Sequence, residues 1–230
     1  MSRENSFVGF TKLFLIASVF LVLFSGVVSA AVSGITVTAP NGGESWSGTQ
    51  SITWTATCSD PANDYVDIQW STGGAWTTIA SSQYCNAATY SWDTTSVGDS
   101  SAYQIKVKDM NVPATNDVSN AIFTVDNTAP ITFTFVSPTE GDYANKSQDY
   151  YYVNVTFTET NPDTCWLDNG TTNTSMSRSG TNCYINMTSQ SEATHTYKVW
   201  ANDTAGNWGN SSDRYVTLDT TSPTVTNVSS

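Results

Sequence analysis

Three observations predict an all-β chain folded as two sandwiches in tandem. Apolar and polar residues alternate over many short runs, which is the period-two signature of half-buried strands. Thr, Ser and Asn dominate, with 12% aromatic residues, a composition that favours strands and turns over helices. A strand-end-to-Pro stretch also occurs twice, as Thr124-Val125-Asp126-Asn127-Thr128-Ala129-Pro130 and Thr217-Leu218-Asp219-Thr220-Thr221-Ser222-Pro223. Its two Asp residues lie 93 positions apart (219 − 126 = 93), the length of one small β-domain. Pro cannot extend a central strand and holds the residue before it extended. Each copy therefore reads as a last strand, a short stiff linker and the next first strand.

Residues 1–30 read as a cleavable signal helix. Arg3 and Lys12 flank an apolar run over 13–24, and Val28-Ser29-Ala30 places small residues where a signal peptidase reads them. That run is shorter than the ~20 residues a membrane span needs. Cleavage predicts a secreted or cell-surface chain that meets the membrane only through this segment. The expected division is 31–126 for the first sandwich, 127–219 for the second, and 220–230 for the start of a truncated third repeat.

In residues 31–126 the core parity falls on Ile35, Val37 and Ala39; Ile52, Trp54 and Ala56; Val66, Ile68 and Trp70; Tyr103, Ile105 and Val107; and Phe123 and Val125. Shorter runs at 76–79 and 90–92 complete seven strands. Pro40-Asn41-Gly42-Gly43, Asp60-Pro61, Gly73-Gly74 and Val97-Gly98-Asp99 punctuate them. Seven short strands in about a hundred residues predict an immunoglobulin-like or fibronectin-III-like sandwich.

The stretch Ile35-Thr36-Val37-Thr38-Ala39-Pro40-Asn41-Gly42-Gly43-Glu44-Ser45-Trp46, with Gly48 and Ser51-Ile52-Thr53-Trp54 after it, resembles the N-terminal domain of the yeast cell-wall synthesis Kre9/Knh1 family, a pattern that recurs in microbial surface proteins. Ile68-Gln69-Trp70-Ser71-Thr72-Gly73-Gly74-Ala75-Trp76 and Tyr103-Gln104-Ile105-Lys106-Val107-Lys108-Asp109 continue the resemblance. It implies an extracellular or cell-wall-associated sandwich and brings no catalytic residues with it.

In residues 127–219, Phe135-Val136-Ser137-Pro138-Thr139-Glu140-Gly141-Asp142 repeats the Pro, second Gly and terminal acid of 37–44. Tyr151, Val153, Val155 and Phe157 alternate on one face. Runs at 165–168, 183–187, 197–201 and 215–218 follow. Tyr197-Lys198-Val199-Trp200-Ala201-Asn202-Asp203-Thr204-Ala205-Gly206-Asn207 resembles the late-strand signature of bacterial and archaeal Ig-like surface repeats.

Net charge −12 with only eight Lys and Arg argues against nucleic acid, which needs clustered cations. Four Cys behind a signal segment read as disulfides, Cys58–Cys85 and Cys165–Cys183, worth ~3 kcal/mol each. No Cys lies on the Tyr103 or Tyr197 runs, so neither is expected to be the sandwich-crossing pair of antibody domains. A metal site at the Cys is disfavoured by the lack of Cys-x-x-Cys and the single His. That residue, His195, shares parity with Tyr197 and Val199 and has no nucleophile or orienting acid near it in sequence. Glu44, Glu140, Glu159 and Glu192 are scattered on loops and strand ends, so no glycosidase-type pair can be singled out.

No catalytic residue and no cofactor is therefore expected. Asp126 and Asp219 are the metal candidates, at linkers where Ca²⁺ stiffens some extracellular repeats, with Asp203 and Asp109 in turns able to face them. A turn-capping role for these Asp residues competes with that reading. Trp46, Trp76 and Trp208 are the candidate sugar-binding aromatics, with Trp166, Trp200, Tyr150 and Tyr152 also on loops or outward faces. Asn-x-Ser/Thr acceptor sites begin at Asn145, Asn154, Asn169, Asn173, Asn186, Asn202, Asn210 and Asn227, and parity turns Asn154, Asn186 and Asn202 outward. The expected function is a non-enzymatic stalk, adhesion or cell-envelope component whose partner is an extracellular polysaccharide or protein. The alternative is an accessory module of a larger secreted enzyme.

Overall fold

The computed structural model describes residues 31–225; residues 1–30, read above as a signal segment, and residues 226–230, with the acceptor Asn227, lie outside them. Nine strands precede the first linker: β1 Val32–Ala39, β2 Ser45–Trp46, β3 Thr49–Cys58, β4 Tyr65–Ser71, β5 Thr77–Tyr84, β6 Thr89–Asp93, β7 Ser100–Asp109, β8 Asn116–Val118 and β9 Phe123–Val125. Ten follow it: β10 Ile131–Phe135, β11 Ala144–Lys146, β12 Tyr151–Thr158, β13 Pro162–Asp168, β14 Asn173–Ser175, β15 Ser177–Ser179, β16 Asn182–Met187, β17 Ala193–Asp203, β18 Trp208–Asn210 and β19 Arg214–Leu218.

The two groups repeat one topology. In the first, a β1-β3-β6 sheet faces a β2-β9-β7-β4-β5 sheet, with β8 paired to β7. In the second, a β10-β12-β16-β15 sheet faces a β11-β19-β17-β13-β14 sheet, with β18 paired to β17. Each carries one parallel pair between its second strand and its last, β2 with β9 and β11 with β19. These are immunoglobulin-like sandwiches, and the internal repeat read from the linkers extends to the order of the sheets.

Alternation explains the cores. Ile52, Trp54, Val66, Ile68, Ile105 and Val107 are at most 1% exposed, and Val153, Val155, Leu167 and Val199 are sealed in the second core. Ala39 and Trp70, placed on core parity, are half-buried instead. For Ala39 the cause is a register shift between Val37 and Ala39 in the β1–β3 ladder.

Both disulfides form, Cys58–Cys85 and Cys165–Cys183, with Cα separations of 6.0 and 6.2 Å. As expected, neither bridge uses the Tyr103 or Tyr197 strand, so neither is the antibody-type pair; Cys165 on β13 and Cys183 on β16 nevertheless belong to opposite sheets, and this bridge crosses its sandwich one strand away from Tyr197.

Trp46 is a further correction. Two-residue β2 lies parallel to β9 and turns its indole inward, 5.1 Å from the Phe123 ring and 6.5 Å from Trp92. At 8% exposure it is core, and it presents no sugar platform.

Candidate functional site

Two places gather the residues singled out in the sequence: the seam between the sandwiches, and one tryptophan-bearing sheet face.

The seam begins where β9 ends. Asp126 is buried, and its N–H donates to the Trp46 carbonyl at 2.9 Å. The next residue, Asn127, is fastened to the first sandwich through its backbone and both ends of its side-chain amide. Its N–H donates to Asp99 Oδ1 at 2.8 Å, its Oδ1 accepts the Gly48 N–H at 2.8 Å, and its Nδ2 donates to the Thr94 carbonyl at 3.1 Å. On the other side, Pro130 packs against β18. A Cβ built on Gly209 would lie 1.9 Å from the Pro130 carbonyl oxygen, so only a residue without one fits beside the linker.

The turn between β17 and β18 closes the seam. Asn207 Nδ2 donates to both the Asp126 carbonyl and Asp203 Oδ2, each at 2.7 Å. Asp203 Oδ1 accepts the N–H groups of Ala205 and Asn207 at 2.9 Å, an Asx-type turn. Ser47 Oγ reaches across to donate to the Ala205 carbonyl at 2.8 Å. The local signature Asp203-Thr204-Ala205-Gly206-Asn207 thus builds a docking turn.

Carboxylate oxygens of Asp126, Glu159 and Asp203 lie within 4.8 Å of one another here. They are the residues able to offer oxygen ligands to a hard cation. Like charges that close repel, and amide donors offset this: Asn161 Nδ2 toward Asp126 at 3.3 Å, Asn207 toward Asp203, and the Thr160 and Asn161 N–H groups toward Glu159 at 2.6 and 2.8 Å. Asp219 is not in this group. It is exposed and caps its own turn by accepting the Thr221 N–H. Asp109 sits at the far end of β7, buried, accepting N–H groups from Val32, Asn111 and Val112. The sequence named Asp126 and Asp203 but missed Glu159 as their neighbour, because only the fold brings the end of β12 to the end of β17.

On the outer face of the second sandwich, register assembles three tryptophans. Trp166 on β13 lies opposite Trp200 on β17, and Trp208 on β18 lies opposite Asn202. Trp166 is 37% exposed and Trp208 47%, with their rings 6.5 Å apart and 71° between planes. Together with Trp200 and Asn173 they line a hollow of about 330 Å³. Trp200 Nε1 donates to Asp168 Oδ2 at 3.3 Å, which fixes that indole in place. Of the three named sugar-binding candidates only Trp208 belongs to this group; Trp166 and Trp200, also read as outward, complete it. Trp76 is half-buried in the other sandwich, with the Lys106 ammonium 4.2 Å from its ring. Tyr150 and Tyr152 pair with each other elsewhere.

The acceptor asparagines divide by environment. Asn145, Asn173, Asn186 and Asn210 are exposed, and Asn154 and Asn169 are half-buried. Asn202 is buried at 8%, against the outward placement that parity gives it. Its Oδ1 accepts the Thr164 N–H at 2.8 Å and the Thr164 hydroxyl at 2.6 Å, where a bulge between Pro162 and Cys165 folds β13 over it. Asn154 does point away from the core, but the 136–139 segment covers it and Nδ2 donates to the Ser137 carbonyl.

The acids and the histidine serve local structure. Glu44 accepts the N–H groups of Asn41 and Gly42 at 2.6 and 2.7 Å. Burial raises its carboxyl, but the backbone N–H groups of Asn41, Glu44 and Gly42 outweigh that and hold it below the ordinary range. Glu140 pairs with Lys146, and Glu192 ties down Thr220 and Thr221. His195 is half-buried, its Nε2 2.8 Å from the Ser191 carbonyl oxygen and its ring over Tyr151. Among the described residues no helix is long and apolar enough to cross a membrane.

No family model and no curated protein matches this chain. Solved structures similar to it include the fibronectin(III)-like modules of Clostridium thermocellum CbhA, at 17% identity over 80% of this chain and 92% of that one, TM-score 0.40. A marsupial T cell receptor matches at 12% identity over 82% and 73%, TM-score 0.47. The FN1-FN3 domains of chicken CNTN1 match at 16% identity over 81% and 66%, TM-score 0.42.

Proposed function

We propose that this chain is a non-enzymatic spacer of a secreted or cell-surface protein, built of two sandwiches, 31–126 and 127–219, set in a fixed relation. The observation that supports it is the linker. Four residues connect Asp126 to Ile131. They are bonded to the first sandwich through Asn127, wedged against the second through Pro130, and bridged by Asn207. A linker held on both sides transmits direction between modules, and this is what a stalk in a cell envelope needs. Inter-domain motion is the default where such contacts are lacking. The disulfides agree with an oxidising compartment. The resemblance of 35–54 to the Kre9/Knh1-like domain favours the cell envelope over a freely secreted form.

The reading is tested by cell fractionation with N-terminal sequencing of the mature chain. A chain beginning at Ala31 in the envelope fraction is expected. A chain that keeps residues 1–30 and stays in the cytosol contradicts it.

A further inference from the structure

The hollow formed by Trp166, Trp200 and Trp208 presents aromatic faces on a solvent side of the sheet, a kind of surface that marks an interaction site. The only polar residue lining it is Asn173. That asparagine opens the acceptor sequence Asn173-Thr174-Ser175. It is exposed and lies on β14, which pairs with β13 at the end of its sheet, where a transferase can reach an extended segment. Ser175, the hydroxyl residue of the sequence, stands directly opposite Trp166 in the ladder. Asn173 and Ser175 are two residues apart, so both side chains share the face that carries the tryptophans. Of the other acceptors on this face, Asn202 is buried and Asn210 has its Nδ2 held by the Ser211 carbonyl at 2.8 Å.

We propose that Asn173 carries an N-linked glycan whose first sugar packs its apolar C–H face on Trp166 and Trp208. This rests on the secreted reading above. The modification forms a bond from Asn173 Nδ2 to C1 of the first sugar and breaks the bond from C1 to a lipid-diphosphate carrier. The lipid diphosphate leaves, and the amide proton passes to a base of the transferase. The product places a pyranose ring over a hollow walled by aromatic faces, where C–H groups meet π-clouds and water is excluded. The same sheet face thus supplies both the attachment point and the surface it lands on.

The test uses the full chain secreted from a host that N-glycosylates, with occupancy mapped by peptide mass spectrometry and tryptophan exposure read by acrylamide quenching. Asn173 is expected to be occupied. The readily quenched tryptophan component should be lost in the glycosylated protein, stay lost after trimming to the first sugar, and return on complete removal or in N173Q and S175A. Glycans at Asn145 or Asn186 with Asn173 bare would overturn the proposal. So would an occupied Asn173 with quenching equal to that of N173Q, which leaves the glycoprotein reading standing. An unglycosylated chain in every secreted fraction would remove both. If the bare chain's fluorescence shifts with added chito-oligosaccharide while Asn173 stays unmodified, the hollow takes a free sugar and the proposal fails.

Discussion

Glu44 shows how single side chains shape this molecule. Its two oxygens cap the turn at Asn41 and Gly42, where Gly42 sits at φ +127° with its α-carbon against Ala121. Glu44→Gln should cost about 1 kcal/mol at neutral pH, since charge-assisted bonds become neutral ones near solvent. Its folded carboxyl lies below the ordinary 4.5. The stabilisation is therefore present above that value and lost as pH falls through the lower folded one. Urea titrations of parent and E44Q should differ at pH 7 and converge at strongly acid pH; an equal gap at both would contradict the assignment.

Two buried tyrosines work at the alkaline end. Burial pushes the Tyr151 and Tyr197 hydroxyls up to about 12 from 10.0. The unfolded chain then ionises first, so stability is full below pH 10.0 and falls as pH rises through about 12. Tyr151 also buries its hydroxyl with no hydrogen-bond partner among the described residues. Tyr151→Phe should be neutral or stabilising by up to about 1 kcal/mol in denaturant titration, and it should weaken the alkaline loss. A large destabilisation would point to an unseen partner for that hydroxyl.

At the scale of elements, strand length decided what could be read. β3, β7, β12 and β17 span eight or more residues each, and their period-two patterns located them and their core faces in the sequence. β2, β8, β9, β11, β14, β15 and β18 have two or three residues, too few to establish a period, and of these only β9 was read, from the linker that follows it. Missing β2 placed Trp46 outside, and missing β14 and β18 hid how Trp166, Trp200 and Trp208, already read as outward, meet on one face. Parity along a single strand also says nothing of what folds over it, and Asn202 is buried for that reason. Asn202→Ala should cost about 1–3 kcal/mol, because it leaves the Thr164 N–H and hydroxyl without their acceptor. A melting temperature equal to the parent's would show that water replaces it without loss. The disulfide pairs were legible from two Cys falling in each half of the repeat, which makes one bridge within each sandwich the simplest pairing. Reducing the Cys58–Cys85 bridge should cost about 3 kcal/mol for a loop of this order, and differential scanning calorimetry with and without reductant measures it.

For the whole molecule, the repeat topology gives two cores with no buried residue in common. A chain of residues 31–126 should therefore fold alone, with dispersed amide resonances; an unfolded product would contradict the division. The linker chemistry was only partly readable. The sequence marked Asp126 and Pro130 as the ends of a stiff connection. Asn207, 81 residues from Asp126, became its clasp only when β17 and β18 were brought to the seam.

The fixed relation between the sandwiches is the central claim, and ¹⁵N relaxation on residues 31–219 tests it most directly. One rotational correlation time should describe amides of both sandwiches. Gly209→Ala, which must displace the Pro130 carbonyl, and Asn207→Ala should each split it into two. Two separate, shorter correlation times in the unaltered chain would contradict the account.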